Sequence, residues 1–178
     1  MAQEDALSRM TVKNPRGSMI EQPVADLKHL FEVPGQTILF VGVGNVLKHD
    51  DGAGVFIAGR IKQSKRIKSL VVEMSIENYI GKINSMSPDI LIIIDATDFG
   101  EKPGFSRLAK VSELKEITTN THNISIAKLS ELFNMPVYIL GIQPADVSFG
   151  EGLCREVREA AERVIQMINS ERMVMMES

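Results

Sequence analysis

The chain has a single cysteine, Cys154, so it can form no intramolecular disulfide and build no multi-cysteine metal cluster. Nor does it carry an excess of positive charge. Its 20 Lys and Arg are mixed with 23 Asp and Glu for a net charge of -3, which leaves no basic stripe for a nucleic-acid backbone and excludes nucleic acid as the expected partner. Long hydrophobic runs are missing. "ILFVGVG" and "ILIII" fall far short of the roughly 20 apolar residues that span a bilayer as a helix, so they read as buried strands, and no membrane insertion is expected. The opening "MAQEDALSRM" lacks the basic start and apolar core of a secretory signal, so a cytoplasmic location is expected. There is no internal repeat and no low-complexity segment. The chemistry that remains is that of carboxylates and imidazoles.

At 178 residues the chain is expected to form one domain with a substantial core. Residues 1–35 read as an N-terminal extension. "NPRG" at Asn14 to Gly17 breaks any helix before it, whereas Val24, Leu27, Leu30 and Phe31 fall at helical spacing between Glu21 and Val33. This amphipathic helix is expected to cover part of the core or a partner, and Pro34-Gly35 stops it. Residues 36–178 alternate apolar strands with helices. The strands are "TILFVGV", "SLVVEM", "DILIIID" and "PVYILGI"; the helices are Asp51 to Lys62, Glu77 to Ser85, Asn123 to Phe133 and Glu151 to Asn169. "FSRLAKV" alternates polar and apolar residues, as a half-exposed edge strand does. The expected fold class is α/β: a mostly parallel five-stranded sheet with one antiparallel edge strand and helices on both faces.

In such sheets ligands bind beyond the carboxyl ends of the strands, which selects the loops "GVGNVLKHDDGAG", "DATDFG" and "GIQPADVSFG", with "TTNTHN" as a fourth ahead of a helix. The first loop is no dinucleotide fingerprint, because G-x-G-x-x-G requires glycine where Leu47 stands, and no Gly-Lys-Ser/Thr follows for a Walker site. Read alone, Asp50 is a helix cap and Asp51 a first-turn complement to the helix dipole. Asp95 ends an apolar run, where a carboxylate must be hydrogen-bonded, paired or metal-bound. It has a structural alternative in the "DATD" turn, and Asp98 reads as a turn residue. Among the histidines, His29 lies off the apolar stripe and His49 is a loop residue by default. His122 precedes a helix, whose positive end favours the neutral, metal-binding imidazole, although bonds to its Thr and Asn neighbours would explain it equally. Taken together, Asp51, Asp95 and His122 would project from separate strand ends into one cleft. Two oxygens and one nitrogen suit zinc, nickel or iron with positions left open. Cys154, among helix residues, reads as a small buried side chain.

With these motifs in that order, "GVGNVLKHDDGAG", "IIIDATDFGEKPG", "TTNTHN" and "GIQP", the chain resembles the hydrogenase maturation endopeptidases over about Ile38 to Ile168. The likeness is closest to the branch serving energy-conserving hydrogenases. The resemblance implies an aspartic-type metal site at Asp51, Asp95 and His122, which would be both the metal ligands and the catalytic residues. It also implies, as partner, the [NiFe] hydrogenase large-subunit precursor, whose C-terminal extension is removed. Nickel would arrive with that precursor, and zinc or another divalent ion would serve as a surrogate. The glycines of the first loop are then expected to let the substrate come near. Alternatives are a metallopeptidase or amidohydrolase with its own zinc, and a non-catalytic nickel-binding accessory protein. The protein is expected to be monomeric. The resemblance supplies no role for residues 1–35, and "VVEMSIENY" lacks the glycine that the family tends to carry after the second strand.

Overall fold

The computed structural model describes residues 22–73, 75–112 and 128–174. Helix α1, Gln22–Phe31, ends ahead of Pro34 and Gly35, the latter at a φ of 76° that suits glycine. It covers the core, the first of the two roles expected of it. Leu27 and Phe31 are buried, and the Phe31 ring lies tilted against Phe40 at 6.3 Å between centroids. Strand β1, Ile38–Val43, leads through a 3-10 turn, His49–Gly52, into helix α2, Ala53–Ala58. That helix is shorter than its sequence pattern. The Arg60 N–H bonds to Ile57 O at 2.9 Å, tightening the chain after Gly59 and closing it. Strand β2, Ile67–Val72, is followed by a second 3-10 turn, Ile76–Tyr79, and helix α3, Ile80–Met86, which stops at Ser87 in the left-handed region. Next come β3, Ile90–Ala96, β4, Ser106–Lys110, and β5, Val137–Ile142. Residues 128–130 are helical, and the rest of the helix expected from Asn123 begins outside the described residues. The terminal helix α4, Arg155–Val174, starts and ends later than its sequence pattern.

The five strands are ordered β2-β1-β3-β5-β4. β1 pairs in parallel with β2 and β3, and β3 in parallel with β5, whereas β4 runs antiparallel to β5 at the edge. This is the expected mostly parallel sheet with one antiparallel edge. Alternation along the strands sorts the core into two layers. Ile38, Phe40, Ile92, Ile94, Leu140 and Ile142 face α1, α2 and α4, where Ile57, Val164 and Ile168 meet them. Leu39, Val41, Leu91, Ile93 and Ile139 face the other way, onto Ile76, Ile83 and Phe133. Among the described residues no helix is long and apolar enough to cross a membrane.

Strand order decides where a ligand can sit. The chain leaves β1 for β2 on one side and returns to β3 on the other, so the connections after β1 and β3 diverge and open a crevice between the two strand ends.

Candidate active site

Asp51 belongs to the turn that follows β1, and Asp95 is the sixth residue of β3. Both therefore flank that crevice. The turn is bent back over the sheet by close backbone contacts. Gly44 has a φ of 139°, and a Cβ there would collide with the Asp51 carbonyl oxygen. A Cβ on Gly42 would strike the Gly54 carbonyl, and one on Gly54 would strike the carbonyls of Ile94 and Val43. These glycines therefore let α2 lie against β1 and β3. The space that these glycines leave is filled by the chain's own backbone, the close approach that glycine permits. The Asp51 carboxylate then accepts the Asn45 N–H at 3.0 Å, which fixes the side chain over the end of β1.

Asp95 shares the sheet face of Leu91 and Ile93 and is half-buried. Loss of water, and after it the nearby charge of Asp51, push its carboxyl up from 3.8 to about 7, while the Ala96 N–H pulls the other way. The penalty on the charged form of Asp95 is one that a nearby positive charge would relieve. Beside Asp95 in the register stands Gly141 of β5. A Cβ at Gly141 would meet the Phe99 ring, which stands edge-on to Phe105 at 5.6 Å, so an aromatic wall borders the crevice.

His122, the third expected ligand, lies outside the described residues. Among the described residues no three His, Cys, Asp or Glu side chains cluster as a metal site. The residues flanking the segment are placed: Val111 before it and Leu129 and Phe133 after it pack on the sheet face that Asp95 shares.

Asp50 departs from its expected role. Neither the turn nor α2 has a side-chain cap, and Asp50 is completely buried instead. Its Oδ2 accepts the N–H groups of Ala145 and Asp146 at 2.9 and 3.1 Å, and its Oδ1 accepts that of Cys154 at 2.7 Å. The Asp50 N–H in turn donates to Asp146 O at 3.0 Å. One carboxylate thus ties the turn carrying Asp51 to the loop after β5 and to the entrance of α4. His49 reinforces the tie. It takes a φ of 42°, its N–H donates to Gly150 O at 2.7 Å, and its ring occupies the space that a Cβ on Gly150 would need. It is a wedge between two loops rather than a free loop histidine. His29, by contrast, is on the surface as expected, paired with Glu32 at 3.2 Å.

Gln143, at the end of β5, was also missed. Its buried Oε1 accepts the N–H groups of Phe99 and Glu101 at 2.6 and 3.2 Å, and its Nε2 donates to Asp98 Oδ1 at 3.1 Å. It organises the loop that carries the aromatic wall. The available signal was a polar side chain closing an apolar strand, the same signal that singled out Asp95. Asp98 is the expected turn residue; the Gly100 N–H and then Gln143 hold its carboxyl below the usual range. Cys154 is partly exposed just ahead of α4 rather than buried within a helix. Burial first, and then the neighbouring Asp50 and Glu156, raise its thiol pKa, opposite to what a thiolate nucleophile needs.

The model for the hydrogenase maturation protease family HycI matches residues 74–171. The chain is 31% identical to the hydrogenase 3 maturation protease of Escherichia coli over 138 residues, covering 74% of this chain and 88% of the relative. Among solved structures, the [NiFe] hydrogenase maturation protease HycI of Thermococcus kodakarensis superposes with a TM-score of 0.69 at 25% identity, over 82% of this chain and 97% of that one. The E. coli hydrogenase maturating endopeptidase HybD shares the fold, with a TM-score of 0.62 at 23% identity over 75% of this chain and 90% of its own.

Proposed function

The chain belongs to the hydrogenase maturation protease family, and from that premise we propose that it is the endopeptidase that removes the C-terminal extension of a [NiFe] hydrogenase large-subunit precursor, recognising the nickel which that precursor carries. The observation that carries the proposal is the convergence of Asp51 and Asp95 on the crevice between β1 and β3, where burial first and then the charge of Asp51 raise the Asp95 carboxyl to about 7. Such a pair is poorly matched to an empty site and well matched to a dication.

In this reading the precursor delivers the metal as part of the substrate, and the enzyme's own groups complete its coordination. Asp51 is held by the Asn45 N–H; Asp95 gives up its proton as the cation arrives, because positive charge reverses the penalty set by burial and Asp51. His122 supplies a neutral nitrogen. The dication contributes Lewis acidity toward the scissile peptide. The carboxylates fix where that peptide lies, and the Phe99 wall bounds the crevice on the β5 side. A correctly loaded precursor is then the only one that engages the full ligand set, so recognition and cleavage share one centre.

The test is cleavage of nickel-free and nickel-loaded precursor by chelator-treated enzyme, followed by mass spectrometry of the large subunit. Shortening of the loaded precursor alone is expected. Equal rates on both would overturn the substrate-metal reading, and loss of cleavage on both that added zinc restores would favour a zinc belonging to the enzyme.

A further inference from the structure

The two loops that Asp50 and His49 lock together carry a set of apolar side chains that the fold does not use. Phe149 is 83% exposed, Val147 50%, Leu47 45% and Val46 44%. The loops are joined backbone to backbone: Lys48 and Gly150 form a parallel bridge, and the Gly150 N–H donates to Leu47 O at 2.8 Å. That register sets Leu47 beside Phe149, one residue back on each strand. Apolar side chains gathered in water on one patch mark a surface that a partner can cover. Here the segment is held by a fully buried carboxylate with three backbone bonds and cannot fold the ring inward.

We infer that Val46, Leu47, Val147 and Phe149 form a docking surface for an apolar patch on the folded body of the large-subunit precursor, outside the peptide that is cut. The inference rests on the proposed function and deepens it. Continuity with the active site decides the occupant. Val46 and Leu47 lie between Asn45, whose N–H holds Asp51, and the Asp50 clamp, so whatever covers them also approaches the crevice. A protein substrate that must place one peptide bond there presents surface to the rim, and a rim already held rigid pays little ordering entropy on binding. A few large side chains commonly carry a large share of an interface's affinity.

The test is the steady-state cleavage of nickel-loaded precursor by full-length wild type, Phe149→Ser and the control Leu132→Ser. Leu132 is also exposed, but its carbonyl accepts the Asn84 side chain of α3, toward the other end of the sheet. For Phe149→Ser the KM is expected to rise about 10- to 100-fold with kcat within about twofold of wild type. Leu132→Ser should leave both unmoved. An unchanged KM in an active Phe149→Ser enzyme would overturn the inference while leaving the proposed function standing. So would a wild-type dimer, seen by analytical ultracentrifugation, that Phe149→Ser turns monomeric with KM unmoved, since the patch would then belong to a second copy. Failure of the wild type to cleave would instead remove the proposed function, and with it the inference built on it.

Discussion

Replacing Asp95 with asparagine keeps the shape of the side chain and its capacity to accept the Ala96 N–H, and removes the charge. In the folded protein the carboxyl titrates at about 7 rather than 3.8. The folded state therefore holds a proton that the unfolded chain has already released between those two values, and the stability that this proton contributes is fully present below about pH 4 and lost as pH rises through about 7. At ~1.4 kcal/mol for each factor of ten, the full difference is about 4 kcal/mol against the ionised form. Asp95 keeps some contact with solvent, and relaxation around the charged form lowers this to a usable figure of about 2 kcal/mol. For a chain of this size that is about 4 to 8 °C in Tm. The metal-free Asp95→Asn protein should therefore melt about 4 to 8 °C above wild type at pH 8 and within about 1 °C of it at pH 4, while precursor cleavage is lost. Calorimetry in chelator across that pH range reads the first effect, and mass spectrometry of the precursor reads the second. A variant less stable than wild type at pH 8 would show that the carboxylate anchors the fold. Wild-type cleavage would remove it from the active site.

Three other substitutions test how the site is supported. Asp50→Asn turns one acceptor atom of a fully buried side chain into a donor facing amide N–H groups; a loss of about 2 to 3 kcal/mol in urea unfolding is expected, with reduced cleavage because the Asp51 turn loses its tether. Gly54→Ala should cost about 1 to 3 kcal/mol or more, since its Cβ meets the carbonyls of Ile94 and Val43, and backbone gives way less readily than side chain. A neutral Gly54→Ala would refute the close packing of α2 on the sheet. Leu27→Ala empties a fully buried site on α1 and should cost about 2 to 5 kcal/mol by the same assay; an effect below ~1 kcal/mol would mean that α1 is not part of the core.

Most of the architecture was legible because its determinants are local. "ILFVGVG", "DILIIID" and "PVYILGI" are apolar on both faces, as strands between two helical layers must be, and the alternation in "FSRLAKV" announced a strand with one face less covered; it lies at the edge, where antiparallel pairing with β5 is seen. The position of Asp95 after an apolar run was legible for the same reason, and the rule that ligands bind beyond strand ends selected the loop that carries Asp51. The misreadings concern residues whose partners are distant in sequence. Asp50 looked like a local cap and instead holds backbone 95, 96 and 104 residues away. Nothing in the pair "DD" distinguishes the buried carboxylate from the one that faces the crevice.

The sequence by itself determined the strands, the order of apolar and amphipathic segments, and the carboxylates brought to the strand ends, because hydrophobic periodicity acts within a few residues and needs no partner. Only the tertiary structure decided what those groups meet. Strand order β2-β1-β3-β5-β4 put the ends of β1 and β3 on either side of one crevice, and so left Asp95 raised by burial and then by the charge of Asp51. Close packing filled the space at Gly42, Gly44 and Gly54 with the chain's own backbone. The Asp50 and His49 tie left Phe149 in solvent. Desolvation, charge coupling and steric exclusion each depend on distances through space, and a linear pattern does not contain those distances until the chain has folded.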